Sequence, residues 1–127
     1  MFEQDYIMRQ IRQIIEVAMK MFFNVDTVRP EAMIIQDRNK QDKSNELILK
    51  IDDNNIRDAI ADFKSLTNDK TKDDLLIGFN LFTKLCSLDE DILEANNITY
   101  SEIQNEMKTF FAQYGITDKL FDLIFME

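Results

Sequence analysis

Residues 5–22 read DYIMRQIRQIIEVAMKMF, with apolar side chains recurring every three or four positions. This spacing is typical of an amphipathic helix. Ile7, Ile11 and Ile14 form one seam, and neighbouring Met and aliphatic residues widen the apolar face to an arc of about 200°. The pattern predicts a long N-terminal helix over about residues 2–24 that contacts several neighbours.

The opening Asp5-Tyr6-Ile7-Met8-Arg9-Gln10-Ile11 resembles the start of an uncharacterised family of small helical proteins from low-GC Gram-positive bacteria. Many members of that family begin with Asp, an aromatic residue, two aliphatic residues and Arg-Gln-Ile. The family has no assigned activity. The resemblance therefore implies a helical fold and supplies no catalytic residues.

Length and composition predict a single all-α domain over residues 1–127. The chain is 45% hydrophobic, which is enough for one core. Two Gly and one Pro leave little material for the tight turns of a β fold. We expect an irregular helical bundle or a short stack of tetratricopeptide-like helical hairpins, with about six to eight helices.

The middle of the chain is predicted to contain a short helix, a loop and a helical hairpin. Pro30 suits the first position of a helix over about residues 31–37. Residues 38–44 have no apolar side chain, so we predict an exposed polar loop. Residues 47–51 fit either a strand or a helix. We favour a helix there, within a hairpin over about residues 45–67.

The second half is predicted to form another hairpin over about residues 72–114 and a C-terminal helix over about 117–126. Asp73 or Asp74 is the expected cap of an apolar helix that carries Leu75, Leu76, Phe79, Phe82, Leu85 and Cys86. In the first hairpin, Ala59-Ile60 followed by Phe63 is similar to the second helix of a tetratricopeptide repeat. The full signature of that repeat is absent.

The residue types argue against most enzymatic chemistry. The chain has no His, which removes the usual general base and zinc ligand. Cys86 is the lone cysteine and has no activating His, so we expect a buried thiol. The two glycines cannot form a phosphate-binding loop. We predict no catalytic residues and no cofactor, and a metal site only if carboxylates such as Asp89, Glu90, Asp91 and Glu94 converge.

The net charge of −9 opposes binding to nucleic acid, which needs a basic patch. No apolar run is long enough to span a bilayer, and acidic residues near the N-terminus do not fit a secretory signal. We therefore expect a cytoplasmic protein that binds neither nucleic acid nor membrane.

The leading functional hypothesis is a non-enzymatic domain that contacts another protein or a second copy of itself. An apolar small-molecule or lipid carrier with a Phe- and Met-lined cavity is the alternative, and a carboxylate site for a divalent metal is a third hypothesis. The predicted contact residues lie at the margins of apolar stripes or near the chain ends: Tyr6, Met8, Phe22, Phe23, Phe125 and Met126.

Overall fold

The computed structural model describes residues 34–117 without a gap and, outside that range, residues 9, 10, 13, 14, 16, 17, 19, 20 and 119. The described chain is all-helical and contains no strand. Its five continuous helices are α1 (Arg38–Asp52), α2 (Ile56–Leu66), α3 (Lys72–Cys86), α4 (Glu90–Ala95) and α5 (Tyr100–Ala112).

The turns between these helices use left-handed residues other than glycine. Asn54, Lys70 and Asn97 have φ values of 65°, 55° and 57°. Asn adopts this conformation more readily than most residues because its short side chain can hydrogen-bond to the nearby backbone. The shortage of glycine therefore restricts β turns without preventing short helix connections.

The prediction of a polar loop over 38–44 is wrong, because these residues form the first half of α1. The Asp37 side chain caps the helix by accepting hydrogen bonds from the backbone N–H groups of Asn39 and Lys40. Ser44 is 2% exposed and shares the buried face with Leu47. Ser44 thus occupies a core position, although its hydropathy alone predicts a polar position.

The prediction of a short helix over 31–37 is also wrong for its described part, because residues 34–37 are not helical. Asp37 has φ −77° and ψ 116°, an extended conformation that an N-cap residue requires. The favoured interpretation of residues 47–51 is confirmed, because they lie within α1. Burial of Leu47 and Ile51 on one face explains why this aliphatic run is helical.

Thr71 is the N-cap residue of α3, in place of the predicted Asp73 or Asp74. The Thr71 hydroxyl accepts a hydrogen bond of 3.1 Å from the Asp74 N–H, and both Asp73 and Asp74 lie in the first turn. Carboxylates there interact favourably with the positive end of the helix dipole. The apolar face of α3 is buried as predicted, except that Phe79 is only partly buried.

Helix α3 packs against both α1 and α5. Ion pairs join Lys40 to Asp74 near the starts of α1 and α3, and Asp52 to Lys84 near their ends. These two helices therefore run parallel. Helix α5 runs antiparallel to α3, since the Tyr114 hydroxyl beyond its end donates to the carbonyl oxygen of Thr71.

An aromatic cluster from α2, α3 and α5 fills the centre of the core. The Phe63 ring lies edge-on to Phe82 with centroids 5.4 Å apart, and Phe110 lies 5.0 Å from Phe63. Phe110 also contacts Phe111 and Tyr114 at 5.2 and 5.5 Å. Such pairs add to the stability from burial of the rings.

The described residues near the N-terminus agree with the predicted faces of the first helix. All eight described positions from 9 to 20 are helical; Ile14 and Met19 are buried, and the exposed residues include Arg9 and Lys20. The ends of this helix lie outside the described residues. So does the predicted C-terminal helix over 117–126, apart from Thr117 and Lys119.

Replacing Gly78 with alanine tests the close approach of α3 and α5. A Cβ atom at Gly78 would overlap Phe110 Cε2 and would lie 2.6 Å from Cζ. The ring is held by its aromatic neighbours, so Gly78→Ala should lower the free energy of unfolding by about 1–3 kcal/mol, despite the higher helix propensity of alanine. Urea unfolding measures this change.

The matched control combines Gly78→Ala with Phe110→Leu, which removes the overlapping ring. In that background, Gly78→Ala should cost measurably less than it does in the wild type. A Gly78→Ala protein as stable as the wild type would contradict this account of the helix contact.

Candidate functional site

The six contact residues predicted from the sequence cannot be placed. Tyr6, Met8, Phe22, Phe23, Phe125 and Met126 all lie outside the described residues. The candidate site must therefore be built from the described helices. Three features of those helices contain polar or apolar groups that are not needed to form the core: a network of charged side chains and two grooves.

The first feature is a charged network at the start of α3. Asp74 is fully buried, and its Oδ1 accepts a hydrogen bond of 2.5 Å from Lys40 Nζ. Its Oδ2 accepts one of 2.9 Å from the Asp69 N–H. Lys40 Nζ also lies 3.2 Å from Asp69 Oδ2. The buried carboxylate thus has partners on both oxygens, as its burial requires.

Two groups have shifted pKa values here: Lys40 within this network and Tyr114 beside it. Burial lowers the pKa of Lys40, but hydrogen bonds and charges from Asp74 and Asp69 outweigh it and raise the pKa overall. Burial, and then the charge of Asp74, raises the pKa of Tyr114. Lys40 therefore stays charged and Tyr114 stays neutral near neutral pH. The network holds α1, α3 and α5 together and presents no free nucleophile.

The second feature is a groove of about 240 Å³ between α2 and α5. Arg57 ion-pairs with Glu102 at 3.5 Å, and its Nε donates to the Asn96 carbonyl oxygen at 3.2 Å. Lys64 and Glu106 form a second bridge at 2.7 Å. These charged groups already satisfy one another, so the groove has a structural explanation.

The third feature is the α1/α3 groove, a surface groove of about 390 Å³ between these two helices. Its apolar residues are Ile48 from α1 and Phe79 from α3, both partly buried. Among the described lining residues, Lys84 is the only charged one, and it is paired with Asp52 at 2.8 Å. The other lining residues are neutral and polar: Ser44, Asn45, Asn80, Thr83 and Ser87.

Thr83 lines this groove, but its hydroxyl oxygen is enclosed by protein atoms. The hydroxyls of Thr67 and Thr109 donate to the carbonyl oxygen four residues earlier, at 2.8 and 3.0 Å. The Thr83 hydroxyl is buried and has no hydrogen-bond partner in the part of the chain that the structure describes. A buried polar atom without a partner is costly and calls for a physical explanation.

The carboxylates considered as metal ligands do not converge. Asp89, Glu90, Asp91 and Glu94 are all exposed around the short helix α4. Within the described ranges, no group of three or more His, Cys, Asp or Glu side chains could hold a metal ion. The acidic first turn suits a helix N-terminus.

Comparison with known families assigns this chain to a family. A family model matches residues 1–115, which is most of the sequence. The chain belongs to DUF6483, a family of unknown function. No curated protein and no solved structure matches it.

The lone cysteine of this DUF6483 protein lies in the core, as predicted. Burial raises the pKa of the Cys86 thiol to about 12. The thiolate is the nucleophilic form, so the native thiol is poorly suited to covalent chemistry. Among its described helices, none is long and apolar enough to cross a membrane.

Sequence reasoning missed the α1/α3 groove because it assigned the first half of α1 to a loop. Two signals were available: Asp37 is a good N-cap residue, and Ser44, Leu47 and Ile51 follow helical spacing. The pairing of α1 with α3 has no comparable local signal. The missing partner of Thr83 depends on its rotamer, which the sequence does not show.

Replacing Lys40 with methionine tests the buried network of this DUF6483 protein. Lys40→Met retains the length of the side chain but leaves the Asp74 carboxylate without its cation. The free energy of unfolding should fall by about 3 kcal/mol, as measured in urea at neutral pH. Lys64→Met, which breaks an exposed pair, is the control and should cost less than about 1 kcal/mol.

The stability difference between wild type and Lys40→Met should also depend on pH. The folded-state pKa of Lys40 is raised above 10.5, so its contribution to stability is present below that pH and is lost as pH rises through the raised value. The difference between wild type and Lys40→Met should be present at about pH 9 and narrow as the pH rises above about 10.5. A difference that vanishes near neutral pH would contradict the assignment.

Cys86 provides a further prediction about the native state. Its burial and raised pKa should make reaction with a disulfide reagent at pH 8 at least about a hundredfold slower than in the urea-unfolded chain. Absorbance of the released thiol measures both rates. Comparable rates would mean that the end of α3 opens readily in the native protein.

Proposed function

We propose that this protein is a non-enzymatic helical domain that binds another protein through the α1/α3 groove and the neighbouring side chain of Leu49. The observation that carries the proposal is the exposure of Leu49, whose side chain is 61% accessible on α1. Leu49 follows Ile48 and lies one helical turn after Asn45. A large apolar residue therefore flanks a groove that already contains partly buried Ile48 and Phe79.

The chemistry of the groove favours a protein partner. Its described lining residues are neutral apart from Lys84, which is paired with Asp52, so they offer no basic surface to a phosphate backbone or an anionic membrane. Small-molecule sites enclose most of their ligand. A surface groove with apolar and amide groups instead resembles the mixed composition of protein interfaces.

Absence of catalytic function is part of the same proposal. The chain has no His, and its lone thiol is buried. The charged groups of Lys40, Asp69 and Asp74 bind one another. We further propose a cytoplasmic location, since a lone reduced thiol suits that compartment.

The finer architecture is part of the proposal as well. The ion pairs Arg57–Glu102 and Lys64–Glu106 align α2 with α5, which runs antiparallel to the parallel helices α1 and α3. This arrangement supports two helical hairpins stacked in the tetratricopeptide manner. In such a stack, corresponding helices of successive hairpins lie side by side and form one continuous surface. The α1/α3 groove lies on that surface.

Site-specific photo-cross-linking in the native host tests this proposal. A benzophenone amino acid at Leu49 should form an adduct with a defined protein, whereas the same group at Asp58, exposed on α2, should not. The captured protein is then purified and its affinity measured directly. Leu49→Glu should weaken binding by at least about tenfold while preserving the fold, because this side chain is mostly exposed.

An adduct formed only with a second copy of this chain would support self-association through the same face. Absence of any adduct specific to position 49, or equal affinity for wild type and Leu49→Glu, would overturn the proposal. Circular dichroism of Leu49→Glu confirms that the helices remain intact.

A further inference from the structure

The outer face of α1 carries Leu49, the exposed residue on which the proposed function depends. At about 100° per residue, Arg38 lies within about 20° of Leu49 and three turns before it, and Asp53 lies within about 40° of it and one turn after it. All three side chains are exposed, whereas Leu47 and Ile51 on the opposite face are buried. The outer face of α1 therefore places a large apolar residue between a cation and an anion.

Arg38 and Asp53 lie at the ends of α1 where the helix dipole disfavours their charges. Arg38 is the first residue of the helix, beside the positive end of the dipole, and Asp53 is the C-cap residue, beside the negative end. Neither side chain forms an ion pair with any described residue, whereas the neighbouring Asp52 is paired with Lys84. These two charges therefore remain without compensation in the part of one chain that the structure describes.

A second α1 packed antiparallel against this face would compensate both charges. It places the partner's Asp53 and the negative end of the partner's helix dipole beside Arg38, and the two-fold symmetry of such a pair repeats the contact at the other end. With Arg38 opposite the partner's Leu49, the alkyl stem of the arginine packs on the leucine. The partner's Asp53 is one helical turn further along, within reach of the guanidinium.

The residues between these contacts are compatible with the same register. It aligns Asp42 with the partner's Asn45, and Glu46 with the partner's Gln41, so each exposed carboxylate lies opposite a neutral amide. An amide N–H group can donate a hydrogen bond to a carboxylate. Charge and polarity therefore match along the length of the paired helices.

We propose that the partner at Leu49 is a second copy of this chain, bound through antiparallel α1 helices, with Arg38 of each copy paired with Asp53 of the other. This inference rests on the proposed function and names the partner of that surface. Each copy contributes one leucine to the contact and carries a net charge of −9, which opposes association. The dimer is therefore weak, with a Kd of about 10–100 µM.

Sedimentation velocity of the purified full chain tests the inference at about 0.15 M salt, from about 1 µM to 1 mM protein. The sedimentation coefficient should rise from that of a monomer to that of a dimer across this range. Leu49→Glu should weaken the dimer by at least about tenfold, because the symmetry removes the contact twice. A chain that remains monomeric at the highest concentration would overturn the inference.

Arg38→Glu tests the charge pairing, with Lys43→Glu as the matched control. Both variants exchange a cation for an anion on α1, but Lys43 is exposed about 120° from Leu49 around the helix. Arg38→Glu should weaken the dimer by at least about tenfold, and Lys43→Glu by less than about threefold. An equal loss in both variants would mean that net charge alone controls association, and the proposed pairing would be wrong.

The charge reversal provides a rescue experiment. Arg38→Glu combined with Asp53→Arg should associate at least about threefold more tightly than Arg38→Glu alone, because opposite charges again face each other. The Tm of Arg38→Glu, measured well below the Kd, should equal or exceed that of the wild type, since an anion suits the start of α1. Loss of association without loss of monomer stability would not arise from a damaged fold. A double variant that regains no affinity would contradict the pairing of Arg38 with Asp53.

The inference and the proposed function can fail separately. If the purified chain stays monomeric while the cross-link at Leu49 captures a different protein, the proposed function stands and the inference is overturned. If the chain forms no dimer and no adduct specific to position 49 appears, both are overturned.

Discussion

The fully buried carboxylate of Asp74 is the constraint on which the arrangement of the described helices depends. Its two oxygens accept hydrogen bonds from Lys40 and from the Asp69 backbone, while its own N–H donates to Thr71. Burying a carboxylate without such partners is costly in free energy. The start of α1 must therefore lie beside the start of α3, and the parallel pairing of these helices follows.

A second constraint acts between α3 and α5. Gly78 lets the Phe110 ring approach the backbone of α3, and the Tyr114 hydroxyl reaches the carbonyl oxygen of Thr71 at 3.0 Å. The aromatic cluster then fills the remaining space beside the close contact of α3 with α5. Polar contacts determine the ends of the helices, and aromatic packing determines how closely their middles approach.

The candidate binding surface is a consequence of these constraints. With α1 and α3 joined near their starts by Lys40 and near their ends by Lys84, their middle residues remain separated by a groove. The described lining of the groove is neutral apart from the paired Lys84, and Leu49 is exposed beside it.

The sequence by itself determined the helical class, the buried state of Cys86 and the apolar faces of the helices. These properties depend on residue type and local spacing, because helix periodicity and capping act over a few positions. Ser44 shows the limit of such reasoning, because this polar residue in a polar stretch is buried in the folded protein.

Only the tertiary structure decided the partner of Lys40, the partial exposure of Phe79 and the isolation of the Thr83 hydroxyl. Each depends on atoms more than thirty residues away in the chain or on a side-chain rotamer, as for Lys40 and Asp74, which are separated by 34 positions. Local sequence patterns do not determine which residues far apart in the chain come into contact. The predicted contact residues stay predictions: Tyr6, Met8, Phe22, Phe23, Phe125 and Met126. The α1/α3 groove, in contrast, exists because tertiary packing places two separate helices side by side.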